Sequence, residues 1–375
     1  MMKCLGILLA VVVAAADVLA EESTDVFGFQ KFFKTKEGTF SWDSRHWANG
    51  NARDINWDGD PDDPTEWTDN RSSGDANPFF KIDGQGIMQM RSSGPRFHIN
   101  SQTAWAPNKQ FFLNVEYTGY YRRGNASVGG PDWGGMVVGV RSGALGHASG
   151  GGNNCDASTY YARFRHDGKW DFEKEWKHPG SYYRSGTGVG RQDPLWGGNV
   201  LPVGKWIGMK YIVYNKDAAT VRLEVYIDSI SGAIPPGKWE LVGVAEDAGA
   251  DWSGAGSGAA TIDGCADYNG LTNAYDAILQ GHGIVLMRTD GTQSNVVQGE
   301  YKFVSVREID PTAPFEEVTD VGGSSSSVAP VSSSSGTSAV SPRTYRPSME
   351  NVPVRHFDLL GRPAEKDAPQ RIYGK

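Results

Sequence analysis

A period of two runs through this chain, and a sustained period of 3.6 does not. Residues 220–228 read TVRLEVYID, with Val221, Leu223, Val225 and Ile227 on one side and Arg222, Glu224 and Tyr226 on the other. Such alternation marks a strand with one face in a core. Comparable stretches occur at 111–121 (FFLNVEYTGYY), 135–141 (GMVVGVR), 159–165 (TYYARFR), 170–176 (WDFEKEW), 206–215, 283–288 and 300–309. Asp167-Gly168 between two alternating runs predicts a hairpin, because Gly supplies the positive φ such turns require. The chain holds 48 Gly among 375 residues, clustered between the alternating runs, as many short strands with tight turns would need. Together these features predict an all-β fold, a two-sheet antiparallel β-sandwich of the jelly-roll kind with long loops. Residues 24–316 suffice for one such domain.

The ends of the chain point outward from the cell. Residues 1–20 read as a signal peptide: Lys3, then an apolar run from Leu5 to Ala16, then Val18 and Ala20 before a cut at Glu21. That run is too short to span a bilayer, and no transmembrane segment is expected after its removal. Residues 322–348 are rich in Ser, and a segment so poor in large apolar side chains cannot offset its ordering entropy. It reads as a disordered linker to a short basic tail at 349–375. Cys4 leaves with the signal, so Cys155 and Cys265 remain, and oxidation outside the cell makes one disulfide between them the economical expectation. A formal net charge of −8 argues against nucleic acid as the partner.

Four groups of residues are candidates for chemistry. Asp171, Glu173 and Glu175 share one face of a strand, and paired carboxylates can supply the acid and nucleophile of a glycosidase. Arg96 and His98, with Tyr161, Arg163, Arg165 and His166, form a basic and aromatic set. An Arg that neutralises a uronate carboxylate, beside a His or Tyr that moves a proton, is what a β-eliminating lyase needs. Asp58, Asp60 and Asp62 sit in a Gly- and Pro-containing acidic turn, a candidate structural Ca²⁺ site built from hard oxygens; no other cofactor is expected. Trp42, Trp47, Trp57, Trp67, Trp105, Trp133, Trp196 and Trp252 lie in segments that read as loops, and indole faces stack on the C–H faces of sugars. Trp133 in GGPDWG and Trp196 in DPLWGGN are the favoured platforms, with Arg165, His166 and Asp171 as polar companions. Trp170, Trp206 and Trp239 belong in or beside strands and are expected in the core.

Gly204-Lys205-Trp206, the strand that ends at Asn215, the strand that ends Val225-Tyr226-Ile227-Asp228, and Gly237-Lys238-Trp239 resemble the concanavalin A-like jelly rolls of legume-type lectins, glucanases and polysaccharide lyases. The resemblance implies carbohydrate as the ligand and a sheet face as the site. Lyases of this fold use Arg, Tyr and His. Glucanases of the laminarinase type carry Glu-x-Asp-x-Glu on a strand, where this chain has Asp-x-Glu-x-Glu. Residues 354–364 (VRHFDLLGRPA) and the terminal RIYGK resemble the C-terminal sorting domains of secreted Bacteroidetes and Fibrobacteres proteins, which implies a secretion or sorting machinery as a second partner. The Ser-rich linker ahead of such a tail implies a protein acting on plant cell walls. Three readings stay open: a secreted polysaccharide-binding protein, a lyase or glycoside hydrolase on the same scaffold, and a structural surface protein.

Overall fold

The computed structural model describes residues 21–55, 59–69, 80–91, 95–102, 111–124, 134–143, 158–175, 181–184, 194–197, 200–249, 252–255, 276–289, 297–315, 356–357 and 363–364. The signal, the Ser-rich linker, Cys155 and Cys265 lie outside them, as do Asp58 and Trp133. Among the described residues there is no α-helix, only a 3₁₀ turn at Ser44–Ala48, and no helix is long and apolar enough to cross a membrane.

The strands are β1 (Phe33–Thr35), β2 (Ser41–Asp43), β3 (Arg53–Ile55), β4 (Glu66–Asp69), β5 (Phe80–Ile82), β6 (Met88–Arg91), β7 (Arg96–Asn100), β8 (Val115–Arg123), β9 (Gly135–Ser142), β10 (Thr159–Arg165), β11 (Trp170–Glu175), β12 (Ser181–Arg184), β13 (Trp206–Asn215), β14 (Val221–Asp228), β15 (Glu240–Asp247), β16 (Trp252–Ala255), β17 (Ile284–Arg288) and β18 (Val297–Pro314). One sheet runs β15-β14-β13-β8-β18-β6-β5-β3, with β1 and β2 also paired to β18. The other runs β16-β12-β11-β10-β9-β17-β7-β4. Every pairing in both sheets is antiparallel, and the protein is a two-sheet jelly-roll sandwich. A further pair, His356–Phe357 with Pro363–Ala364, stands in the tail.

The period of two decides which side chains meet between the sheets. Val221, Leu223, Val225 and Ile227 of β14 join Tyr160, Ala162 and Phe164 of β10, Trp170 and Phe172 of β11, and Met136, Val138 and Val140 of β9 in one cluster. Phe172 stacks on Tyr211 across the interface at 6.0 Å between ring centroids. The predicted hairpin is present: Phe164 pairs with Trp170, and Gly168 takes a φ of 76°. A bulge in β9, where Ile284 pairs with Ser142 and Leu286 with Gly139, puts Arg141 at a φ of 53°. Its guanidinium is fully buried and donates to the carbonyl oxygens of Leu113 and Ile278. Taking an arginine out of water disfavours its charge, and burial lowers the pKa of Arg141 to about 10.

Tryptophan is where the sequence reading needs correction. Trp42, Trp47, Trp196 and Trp252 are core residues, not groove platforms. Trp196 is 1% exposed and packs edge-on against Phe164, so the favoured sugar platform is part of the interior. A flanking Pro-Leu and Gly-Gly pattern looks like a loop whether the indole points in or out. Trp206 and Trp239, expected in the main core, instead pack half-buried beside Phe29 and Tyr120 on a smaller cluster.

His282 gives this fold a pH dependence. It is buried where its backbone bridges Phe112, its Nε2 lies 3.4 Å from Ser158 Oγ, and burial together with Arg141 lowers its pKa to about 4. The folded state therefore holds the neutral ring, while the unfolded chain takes up a proton below about 6.5. The stability this supplies is complete above that value and is lost as pH falls toward the folded pKa. We expect unfolding free energies of the wild type and of His282→Gln, measured in denaturant, to converge by about 3 kcal/mol between pH 7 and 4. A constant difference across that range would show that His282 does not titrate in this way.

Candidate functional site

The second sheet turns its other face away from the core, and that face gathers most of the predicted residues. Cross-strand register builds it in rows. Trp67 pairs with His98, His98 with Leu286, Leu286 with Gly139, Gly139 with Tyr161, and Tyr161 with Glu173. The adjoining row runs Arg96, Arg288, Val137, Arg163, Asp171. Residues far apart in the chain thus become neighbours, because side chains opposite one another on antiparallel strands lie within about 5.5 Å at Cβ.

Tyr161 stands at the centre. Its ring packs with Val137, Ile284 and Leu286, and Trp67 closes the same cluster. Its hydroxyl donates to Glu175 Oε2 at 3.1 Å. Burial raises the phenol's pKa and so does Glu175, while Arg96 and Arg288 pull it the other way. The balance is upward, so Tyr161 holds its proton at neutral pH. Gly139 beside it leaves no side chain on the floor: a Cβ there would sit 2.8 Å from the Tyr161 ring. His98 lies three strand steps away in the same row, about 14 Å between backbones at roughly 4.8 Å per strand. Leu286 and Gly139 occupy the row between them, and His98 and Tyr161 are both buried, at 0% and 1% exposure. Trp67 meets His98 edge-on at 3.7 Å between centroids.

The carboxylates of β11 point to the same face, as their spacing predicts, and each has a partner. Asp171 accepts from Arg163 Nε at 2.6 Å and NH2 at 2.8 Å, and from Arg165 NH1 at 3.0 Å. Glu173 pairs with Arg163, and Glu175 receives the Tyr161 hydroxyl. Arg165 also reaches Asp167 at 2.7 Å. Arg163 and Arg165 occupy the Asp171 oxygens and Arg163 also meets Glu173, so these carboxylates are engaged in ion pairs along the strands. His166 lies just beyond β10, its backbone bonded to Gly134 and Leu201.

The acidic turn has its own geometry. Asp60 is buried, and both its oxygens accept from Arg53, with Nε at 2.9 and 3.0 Å and NH2 at 2.7 Å. It also caps the backbone N–H of Asp62 at 2.9 Å. The Asp62 side chain is half exposed, 3.4 Å from Arg53. Asp60 and Asp62 thus share Arg53, and Asp58, the third residue of the expected calcium site, lies outside the described residues. Asp60 instead lies with His46 and Glu66, two residues that the sequence reading did not single out.

Arg288 is a site residue that the sequence did not point to, and Trp67 was not among the favoured platforms. Arg288 ends a strand whose partner, Arg96, lies far upstream, and no local pattern links them. Trp67 was one of many loop-like tryptophans, and only the β4–β7 pairing puts it on this face.

No protein-family model and no curated protein matches this chain. Solved structures with a similar overall course include the VIP36 exoplasmic/lumenal domain in its Ca²⁺/Man2-bound form, at 10% identity, covering 72% of this chain and 92% of that one, with a TM-score of 0.33. The marine PL-14 alginate lyase from Aplysia kurodai is 10% identical, covering 65% of this chain and 87% of that one, with a TM-score of 0.29. Alginate lyase Aly36B is also 10% identical, covering 70% and 98%, with a TM-score of 0.30.

Proposed function

We propose that the protein acts outside the cell on an acidic polysaccharide bound across the Tyr161 face, and that it cleaves this glycan by β-elimination. The observation that carries the reading is the register that sets His98 and Tyr161 in one row and Arg96 and Arg288 beside them. Arg96 and Arg288 would neutralise the uronate carboxylate, which makes the proton at C5 more acidic. His98, buried beneath Trp67, would take that proton once the face opens to the glycan, the electron pair would form the C4–C5 double bond, and the C4–O bond would break. Tyr161, protonated at neutral pH, would give its proton to the leaving oxygen. Arg163 and Glu173 are positioning residues in this scheme, holding β10 and β11 in line beneath the sugar.

A binding role without cleavage is the second reading. It is favoured by the ion pairs of Arg163 and Arg165 with Asp171 and Glu173, which already satisfy much of the face's charge. Incubation of the purified protein with plant and algal polyuronates separates the readings. Ultraviolet absorbance from unsaturated uronate ends is the expected result. Co-sedimentation with no new ends would make the protein a binding module. New reducing ends without that absorbance would mean hydrolysis. No effect on any glycan would overturn the carbohydrate reading. The export signal, the linker at 322–348 and the tail at 349–375 support delivery to the cell surface through a sorting machinery.

A further inference from the structure

A second cluster of ionisable side chains lies on the opposite side of β4 from the Tyr161 face. It joins three pieces of chain: the 3₁₀ turn at Ser44–Ala48, the acidic turn around Asp60, and Glu66 at the start of β4. We propose that His46 Nε2, a carboxylate oxygen of Asp60 and the carboxylate of Glu66 bind a divalent transition-metal ion of the zinc or manganese type.

Ligand atoms of these three residues lie within 4.8 Å of one another. His46 Nε2 is 2.5 Å from Glu66 Oε1 and 3.9 Å from Asp60 Oδ2. Three ligands at about 2.1 Å from a tetrahedral ion stand about 3.4 Å apart, so adjustments of up to about 1.5 Å convert one arrangement into the other. Glu66 Oε2 is buried with no hydrogen-bond partner, on a side chain with no exposure. An ionised oxygen left so in a protein interior is costly unless a cation or proton meets it. The donor set points the same way. Asp60, Asp63 and Glu66 gather around His46, with the Arg53 guanidinium on Asp60, so the donors of the cluster are mostly carboxylate oxygens.

The surroundings hold the ligands as a metal site requires. The other ring nitrogen of His46, Nδ1, lies 4.0 Å from Asp63 Oδ2. At that distance Asp63 is not hydrogen-bonded to the ring; an approach of about 1 Å would put a carboxylate behind a ligating histidine, which orients the ring and makes it a better donor. Asp63 is itself held by Trp42 Nε1 at 2.8 Å, and Glu66 Oε1 by Trp47 Nε1 at 3.1 Å. Gly59 lets the acidic turn approach β4, since a Cβ there would sit 2.1 Å from the Glu66 carbonyl oxygen. Arg53 occupies one edge of Asp60, and a carboxylate offers about four lone-pair directions, so Oδ2 can still face an ion. An imidazole ligand selects against calcium, which takes oxygen donors.

The test uses the full chain, stripped with a chelator and dialysed, then given Zn²⁺, Mn²⁺ or Ca²⁺ separately. Uptake of about one equivalent of Zn²⁺ or Mn²⁺ per chain, with a raised melting temperature, is expected. His46→Gln and Glu66→Gln should lose that uptake, and Asp62→Asn should keep it. Because the first two variants could fold poorly, cobalt(II) provides a readout in the wild type: it should shift the ring resonances of His46 and leave those of His98 and His282 in place. No stoichiometric uptake, uptake that survives loss of His46, or calcium binding that requires Asp62 would each overturn the proposal.

Discussion

Tyr161→Phe is expected to lower the rate of polyuronate cleavage by roughly 10²–10⁴-fold, the usual contribution of a positioned proton donor. The phenylalanine ring keeps the contacts with Val137, Ile284 and Leu286, so only the hydroxyl and its bond to Glu175 are lost. Burial and Glu175 hold the phenol protonated, which fits a group that delivers a proton to a departing oxygen. Binding should therefore persist while turnover falls, so that kcat carries the loss and KM changes little. Arg96→Ala should differ: it removes the charge that meets the carboxylate and should weaken binding as well. Steady-state absorbance assays on both variants, with co-sedimentation alongside, give the comparison. A Tyr161→Phe enzyme with unchanged kcat would rule out the assigned role.

Asp247→Ala should be among the most destabilising single substitutions in the sandwich, by about 3–5 kcal/mol. Lys174 is on the core side of β11, the side of Trp170 and Phe172, and its ammonium is 2.8 Å from Asp247 Oδ2 with neither side chain exposed. The Tyr160 hydroxyl donates to the same oxygen, and the Lys174 ammonium lies 4.8 Å over the Trp252 ring. Removing the carboxylate takes the charged partner from a cation in a buried site, where the Asp276 carbonyl oxygen, 3.0 Å away, and the Trp252 indole stay beside it. Replacing both partners with apolar residues, as in Lys174→Met with Asp247→Leu, should recover much of the loss, because no buried charge then remains unpaired. Denaturant unfolding of the single and double variants tests this. A loss under about 1 kcal/mol for Asp247→Ala would mean that the ammonium finds water on unpairing.

Local pattern made much of this protein legible before any fold was known. The alternation in β14 names its inward residues correctly, because a strand has only two faces and apolar side chains choose the dry one. The Asp167-Gly168 turn follows from the positive φ that glycine tolerates. The common face of Tyr161, Arg163 and Arg165, and that of Asp171, Glu173 and Glu175, follow from the same period. Lys174 shows the limit of that pattern: its side is set by register, but a buried lysine becomes intelligible only once Asp247 of the other sheet is seen beside it. The short strands β1 to β7 span three to five residues each, too few to display a period, and most were not visible in the sequence.

The sequence by itself determined the strand faces and the hairpin, because those depend on near neighbours along the chain. Tertiary structure alone decided that Arg96 lies beside Arg288, that Trp196 turns inward while Trp67 meets His98, and that His46 reaches Glu66. Each of these depends on which strand or turn lies against which, and that is fixed by burial summed over two whole sheets rather than by any local run of residues.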